Sequence, residues 1–115
     1  AAYERQLCTY AHIVERRHFA DDIRRHVAGE VLKCTAQAIR LKGYVWIFDS
    51  ANGQFVRKPE KRERIVCLGD RLTINVLPPE ADLEAIQYIA DPQKGLQVTD
   101  EKSFFLEITE FTAMR

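Results

Sequence analysis

The segment from Ile39 to Phe48 constrains the fold more than any other part of the chain. Under a two-residue period Ile39, Leu41, Val45 and Ile47 share one face, while Arg40, Lys42, Tyr44, Trp46 and Phe48 share the other. A strand over 44–48 is therefore apolar on both sides, and both sides must be covered by packing or by a partner. The rival reading ends a long helix at Lys42 with Gly43 as its C-cap. The strand is the preferred reading for 44–48.

The residues that follow read as short strands divided by turn chemistry. Asp49-Ser50-Ala51-Asn52-Gly53 is a turn, because Asn-Gly tolerates positive φ, and Gln54–Arg57 returns from it. Gly69-Asp70 can turn Arg64–Leu68 back as Arg71–Leu77, with Leu72, Ile74 and Val76 directed inward. Pro78-Pro79 stops that strand. Glu80–Ala85 is a candidate helical turn. Asp91-Pro92-Gln93-Lys94-Gly95 joins Ile86–Ala90 to Leu96–Thr99, and Phe104–Phe111 makes a last strand.

Upstream the spacing is different. Phe19, Ile23, Val27 and Val31 recur every four residues, which predicts a helix from position 16 onward. Tyr3, Leu7, Tyr10, Ala11 and Val14 form a second stripe pointing the opposite way, so a break falls near Glu15–His18. Leu7–Val14 also reads as a strand, because Cys, Thr, Tyr, Ile and Val fill it. The expected architecture is α+β: one domain over 1–115, with an N-terminal helical segment packed on an antiparallel β-meander or half-open barrel.

A chain of 115 residues with 46% apolar and 30% charged residues can bury a core without metal or disulfide staples. No apolar run approaches the roughly 20 residues of a membrane span, and residues 1–30 are too charged for a secretory signal. Cys8, Cys34 and Cys67 form no Cys-x-x-Cys, so buried thiols in a reducing cytoplasm are expected. Net charge is zero but unevenly spread. Residues 1–79 carry 14 Lys/Arg against 9 Asp/Glu, and residues 80–115 carry 3 against 8. Such a split can steer a partner or pair two copies of the chain.

Arg16-Arg17-His18-Phe19-Ala20-Asp21-Asp22-Ile23-Arg24-Arg25-His26 is the segment richest in ligand-type side chains. On a helix His18, Asp22 and His26 fall on one ridge, with donor types suited to zinc or iron. His18 and His26 would stand about 12 Å apart along the axis, too far to share an ion, and the four arginines would repel a cation. The preferred reading is a solvated helix face with no metal. Cys8 and His12, four apart, would touch on a helix, but no oxyanion loop accompanies them. The five glycines form no Gly-x-Gly, and Ser50 and Ser103 have no nearby His. The evidence for an enzyme is thin, and no cofactor is implied.

Lys42-Gly43-Tyr44-Val45-Trp46-Ile47-Phe48 locally resembles the Lys-Gly-aromatic-small-aromatic-aliphatic signature of RNA-recognition motifs and cold-shock barrels. That resemblance implies base stacking on Tyr44 and Trp46, with Arg40 and Lys42 beside them. Val45 departs from the usual Gly or Ala, Asp49 replaces a further aromatic, and the paired upstream motif is missing. Seven residues carry the likeness, and no family follows. The run Arg57-Lys58-Pro59-Glu60-Lys61-Arg62-Glu63-Arg64 reads as an exposed loop or edge, with phosphate or an acidic partner as its alternative ligand.

The expectation is a non-catalytic cytoplasmic binding or regulatory module working through protein–protein contacts, self-associating as a homodimer. The alternative is a single-strand nucleic acid binder using Arg40, Lys42, Tyr44, Trp46, Phe48, Arg57, Lys58, Arg62 and Arg64. A small metal- or thiol-dependent enzyme stands third.

Overall fold

The structure is a computed structural model that describes residues 10–16, 19, 24–69 and 72–108. Those residues form nine β-strands and one 3-10 turn, with no α-helix among them. The chain divides into two compact units, residues 1–79 and 80–115. The boundary coincides with the point where the charge surplus changes sign, so the first unit is the basic one and the second the acidic one.

In the first unit, β1 (Tyr10–Glu15), β2 (Arg25–Cys34) and β3 (Ala38–Asp49) form an antiparallel meander. β3 is long enough to give its outer edge to two partners. Residues 46–49 pair with β4 (Gln54–Arg57), and residues 38–43 pair with β5 (Arg62–Cys67). The last strand, β6 (Leu72–Leu77), returns to pair with β1, with Tyr10 opposite Leu77 and Glu15 opposite Leu72.

Directly opposed residues in an antiparallel pair point to the same side, so these registers define the two faces. Ala11, Ile13, Val27, Ile39, Leu41 and Val45 form the buried cluster on one face, with Val31, Ile47, Val66, Leu68 and Leu72 packed against it. Leu68 follows β5 and Leu72 opens β6, elements at opposite ends of the strand order, yet both reach the same cluster. The sheet is therefore curled about its core. Fully burying Ile13, Val27 and Leu41 contributes roughly 1.5–3 kcal/mol each.

Two facing glycines let β2 and β3 approach closely. Gly29 and Gly43 are opposite one another, and a Cβ on Gly43 would lie 2.0 Å from the Ala28 carbonyl oxygen. Only glycine admits so close an approach of β3 to β2.

In the second unit, Leu83–Ala85 forms the 3-10 turn, and β7 (Gln87–Asp91), β8 (Gly95–Thr99) and β9 (Phe105–Glu107) form a three-stranded antiparallel sheet. Asp91 Oδ1 accepts from the backbone N–H of Gln93 and Lys94 at 2.8 and 3.0 Å, which fixes the hairpin loop.

The α+β expectation is corrected to all-β. Val27 and Val31 do share a face, but as residues of strand β2. A four-residue recurrence is also an even one, so it satisfies a period of two as well as one of 3.6. Phe19 of the same stripe is exposed, and Ile23 lies outside the described residues. Tyr10–Glu15 is a strand, in line with the second reading of that segment, while Tyr3, Leu7 and Cys8 lie outside the described residues. The meander also needs correction, because β5 pairs β3 and β6 crosses to β1. Cys34 and Cys67 are exposed thiols, not buried ones.

Candidate functional site

The aromatic residues of β3 lie on the face of the sheet opposite the aliphatic cluster, together with His12 and His26. His26 is registered opposite Trp46 on β3 and Val14 on β1, which brings residues distant in sequence into one column. Its ring stacks on Phe55 at 4.4 Å between centroids, and His12 meets it edge-on at 5.2 Å. Phe48 contacts Phe55 at 5.3 Å, and Tyr44 contacts Trp46 at 6.1 Å.

Cations cap this column. The Arg24 guanidinium sits 5.0 Å from the Phe48 ring centre, and the Arg57 guanidinium 4.3 Å from that of Tyr44, with Lys61 Nζ at 5.9 Å. Each placement uses the negative face of the ring quadrupole.

The column is dry. Trp46 is 3% exposed and Tyr44 7%, and His12 and His26 are 0% and 3% exposed. Burial disfavours the imidazolium, and this lowers the pKa of His12 to about 3, with the charge of His26 adding to it. Burial likewise lowers His26 to about 4, with Arg24 adding to it. Both rings are neutral near pH 7. Base stacking needs a ring face open to the ligand, and neither Tyr44 nor Trp46 offers one.

The structure divides the nine residues expected to form a single strip. Arg40, Lys42, Tyr44, Trp46 and Arg57 lie on the aromatic side, where Arg40 is held by Glu63 through a 2.9 Å ion pair. Phe48 is half-buried beneath Arg24 on that side. Arg62 and Arg64 lie opposite Gly43 and Leu41, hence on the side of Val45. There they join Lys58, Pro59 and Glu60 around a pocket of about 270 Å³ whose floor includes Val45. Glu60 accepts from Arg62 Nε and Nη2 at 3.0 and 2.6 Å.

Of the ridge His18, Asp22 and His26, only His26 lies within the described residues. It stands on a strand, so no helical ridge carries it. Among the described residues no group of three or more His, Cys, Asp or Glu is arranged to hold a metal. None of the described helices is long and apolar enough to cross a membrane.

Two features were absent from the sequence reading. One is the His12–His26–Phe55 column, for which only the cross-strand register could have been a signal. The other is Asp100 in the second unit, a buried carboxylate that organises its loop. It accepts from the backbone N–H of Lys102, Ser103 and Phe104 at 2.9, 2.8 and 3.3 Å, from Asp82 N–H at 3.0 Å, and from the Ser103 hydroxyl at 2.6 Å. Burial pushes this carboxyl up, but the hydroxyl and amide donors together outweigh it and hold the group below the usual carboxylate range.

No protein-family model, curated protein or solved structure matches the chain.

Proposed function

We propose that the chain is a non-catalytic binding module that acts through protein–protein contacts and pairs with a second copy of itself along the β6 edge. The observation that carries this reading is the composition of that edge. Among the described residues β6 is bonded only to β1, and Leu72-Thr73-Ile74-Asn75-Val76-Leu77 contains no charged side chain. Ile74 and Val76 stand 36% and 58% exposed. Sheet edges are ordinarily blunted by lysine, proline or a bulge, and six uncharged residues of strand are a template for another strand. Antiparallel pairing of β6 with its own copy satisfies both edges at once and closes the assembly with a twofold axis. The opposite charge surpluses of the two units favour bringing the basic part of one copy near the acidic part of the other.

The burial of Tyr44 and Trp46 supports this reading over base stacking. Sedimentation equilibrium is the test. The expected result is a dimer that Val76→Lys converts to a monomer with little change in melting temperature. A wild-type chain that sediments near 13.3 kDa at high micromolar concentration overturns the proposal.

A further inference from the structure

We propose that the pocket bounded by Lys58, Arg62 and Arg64 is an oxyanion site that takes a phosphoryl dianion. It lies where β3 passes from one edge partner to the other. Pairing with β5 ends at Gly43 and pairing with β4 begins at Trp46, and the connection between the two partners crosses the gap. Lys58 N–H donates to the Val45 carbonyl oxygen at 2.8 Å and ties that connection down. The resulting concavity, about 270 Å³, lies just below the roughly 300–1,000 Å³ of organic-ligand pockets, a size suited to a small polar group.

The charge of the lining selects the ligand. Three cations and one carboxylate surround the space. Glu60 is committed to Arg62, which leaves the charges of Lys58 and Arg64 uncompensated. Among the described residues neither has an ion-pair partner. A second, independent observation comes from hydrogen bonding. Arg64 Nε is a buried donor with no acceptor. Such a group carries its full desolvation cost, and buried donors are almost always satisfied in the working form of a protein. An arginine cannot relieve this by losing its proton. A tetrahedral oxyanion can offer one oxygen to the Arg64 guanidinium, once a turn of that side chain brings Nε–H into the pocket, and another to the Lys58 ammonium, in charge-assisted hydrogen bonds. Two positive charges suit a dianion better than a carboxylate. Free phosphate and the terminal phosphate of a small organic ester share this chemistry.

The arginine Nε–H resonances of the full chain, followed by proton–nitrogen NMR at constant ionic strength, report on the site directly. Inorganic phosphate should shift the Arg64 Nε–H signal saturably, and chloride should not. Lys58→Gln, on an exposed residue at the rim, should weaken binding about tenfold, as expected for loss of one charge-assisted contact. Lys33→Gln, on the exposed face of β2, should leave it unchanged. Arg64→Gln should abolish binding, and Lys58→Gln keeps the test decisive if Arg64→Gln does not fold. Glycerol phosphate binding more tightly than inorganic phosphate assigns the source as an organic ester, and equal binding assigns it as the free ion. No saturable shift, an equal response to chloride, or a response only to a single-stranded oligonucleotide lacking terminal phosphate overturns the proposal.

Discussion

His26 lies flat against Phe55, with ring centroids 4.4 Å apart and planes 28° from parallel. That contact requires an imidazole that has given up its water, and His12 behind it is buried more deeply still. Above the ordinary histidine pKa of 6.5 both rings are neutral in the folded and unfolded chain, so they add no pH dependence. Below it the unfolded chain takes up protons that the folded chain refuses until about pH 4 at His26 and pH 3 at His12. Stability should therefore fall as pH drops from 6.5 toward 3, by several kcal/mol, at about 1.4 kcal/mol for each unit that separates the folded from the unfolded value. Urea midpoints measured across this window check it. His26→Phe should flatten the acid limb, and an unchanged limb would show that the ring is not responsible.

The facing glycines make a second prediction. Gly43→Ala places a methyl group 2.0 Å from the Ala28 carbonyl oxygen, a backbone atom that cannot step aside. The substitution should cost at least about 3 kcal/mol, the upper end of ordinary overpacking. Gly53→Ala meets no atom within 4 Å and pays only for its φ of +67°, about 1–2 kcal/mol. Denaturant unfolding of the two variants should rank them in that order.

Trp46 is the only tryptophan, so its fluorescence reports on the aromatic column alone. Its emission should be blue-shifted and should not respond to a short poly-U or poly-dT strand. Trp46→Ala should destabilise the chain by about 3–5 kcal/mol, as expected of a large truncation in a packed interior. Quenching by the oligonucleotide, reversed by salt, would mean that the column opens.

Asp100→Ala removes the acceptor of five hydrogen bonds and leaves several loop N–H groups without partners. A loss of about 2–4 kcal/mol is expected, since each stranded donor costs roughly 1–3 kcal/mol unless water reaches it. Because the carboxyl is held below its ordinary pKa, its contribution is present above about pH 4 and fades as the pH falls through the depressed value. Hydrogen exchange of the Lys102 and Ser103 amides should accelerate in the variant. Unchanged protection would show that the loop holds itself.

Local pattern made the strands after residue 38 legible. Alternation placed Leu41 and Val45 against Tyr44 and Trp46, and Asn52-Gly53, Pro78-Pro79 and Asp91–Gly95 marked the ends of strands. The N-terminal part misled because Val27 and Val31 are four apart, a spacing common to both periods. The β-branched character of the two valines was the better guide. The candidate site was only half legible, for a different reason. Charge and aromaticity can be read along the chain, but the face on which Arg62 falls depends on its register against Gly43, a pairing between distant segments. Likewise nothing local to Leu72–Leu77 indicates that its partner is β1.

That last pairing carries a consequence for how the chain is made. β1 is made before the other described strands of its unit, and one side of it waits for Leu72–Leu77, the last of them. Vectorial synthesis thus leaves β1 half-clothed until the rest of its unit has been made, and the long loop closed by its final partner makes that step slow. Nascent chains halted before Leu72 should be cut readily by protease within β1, and chains carried past Pro79 should resist. Within its unit, the strand made earliest is completed last.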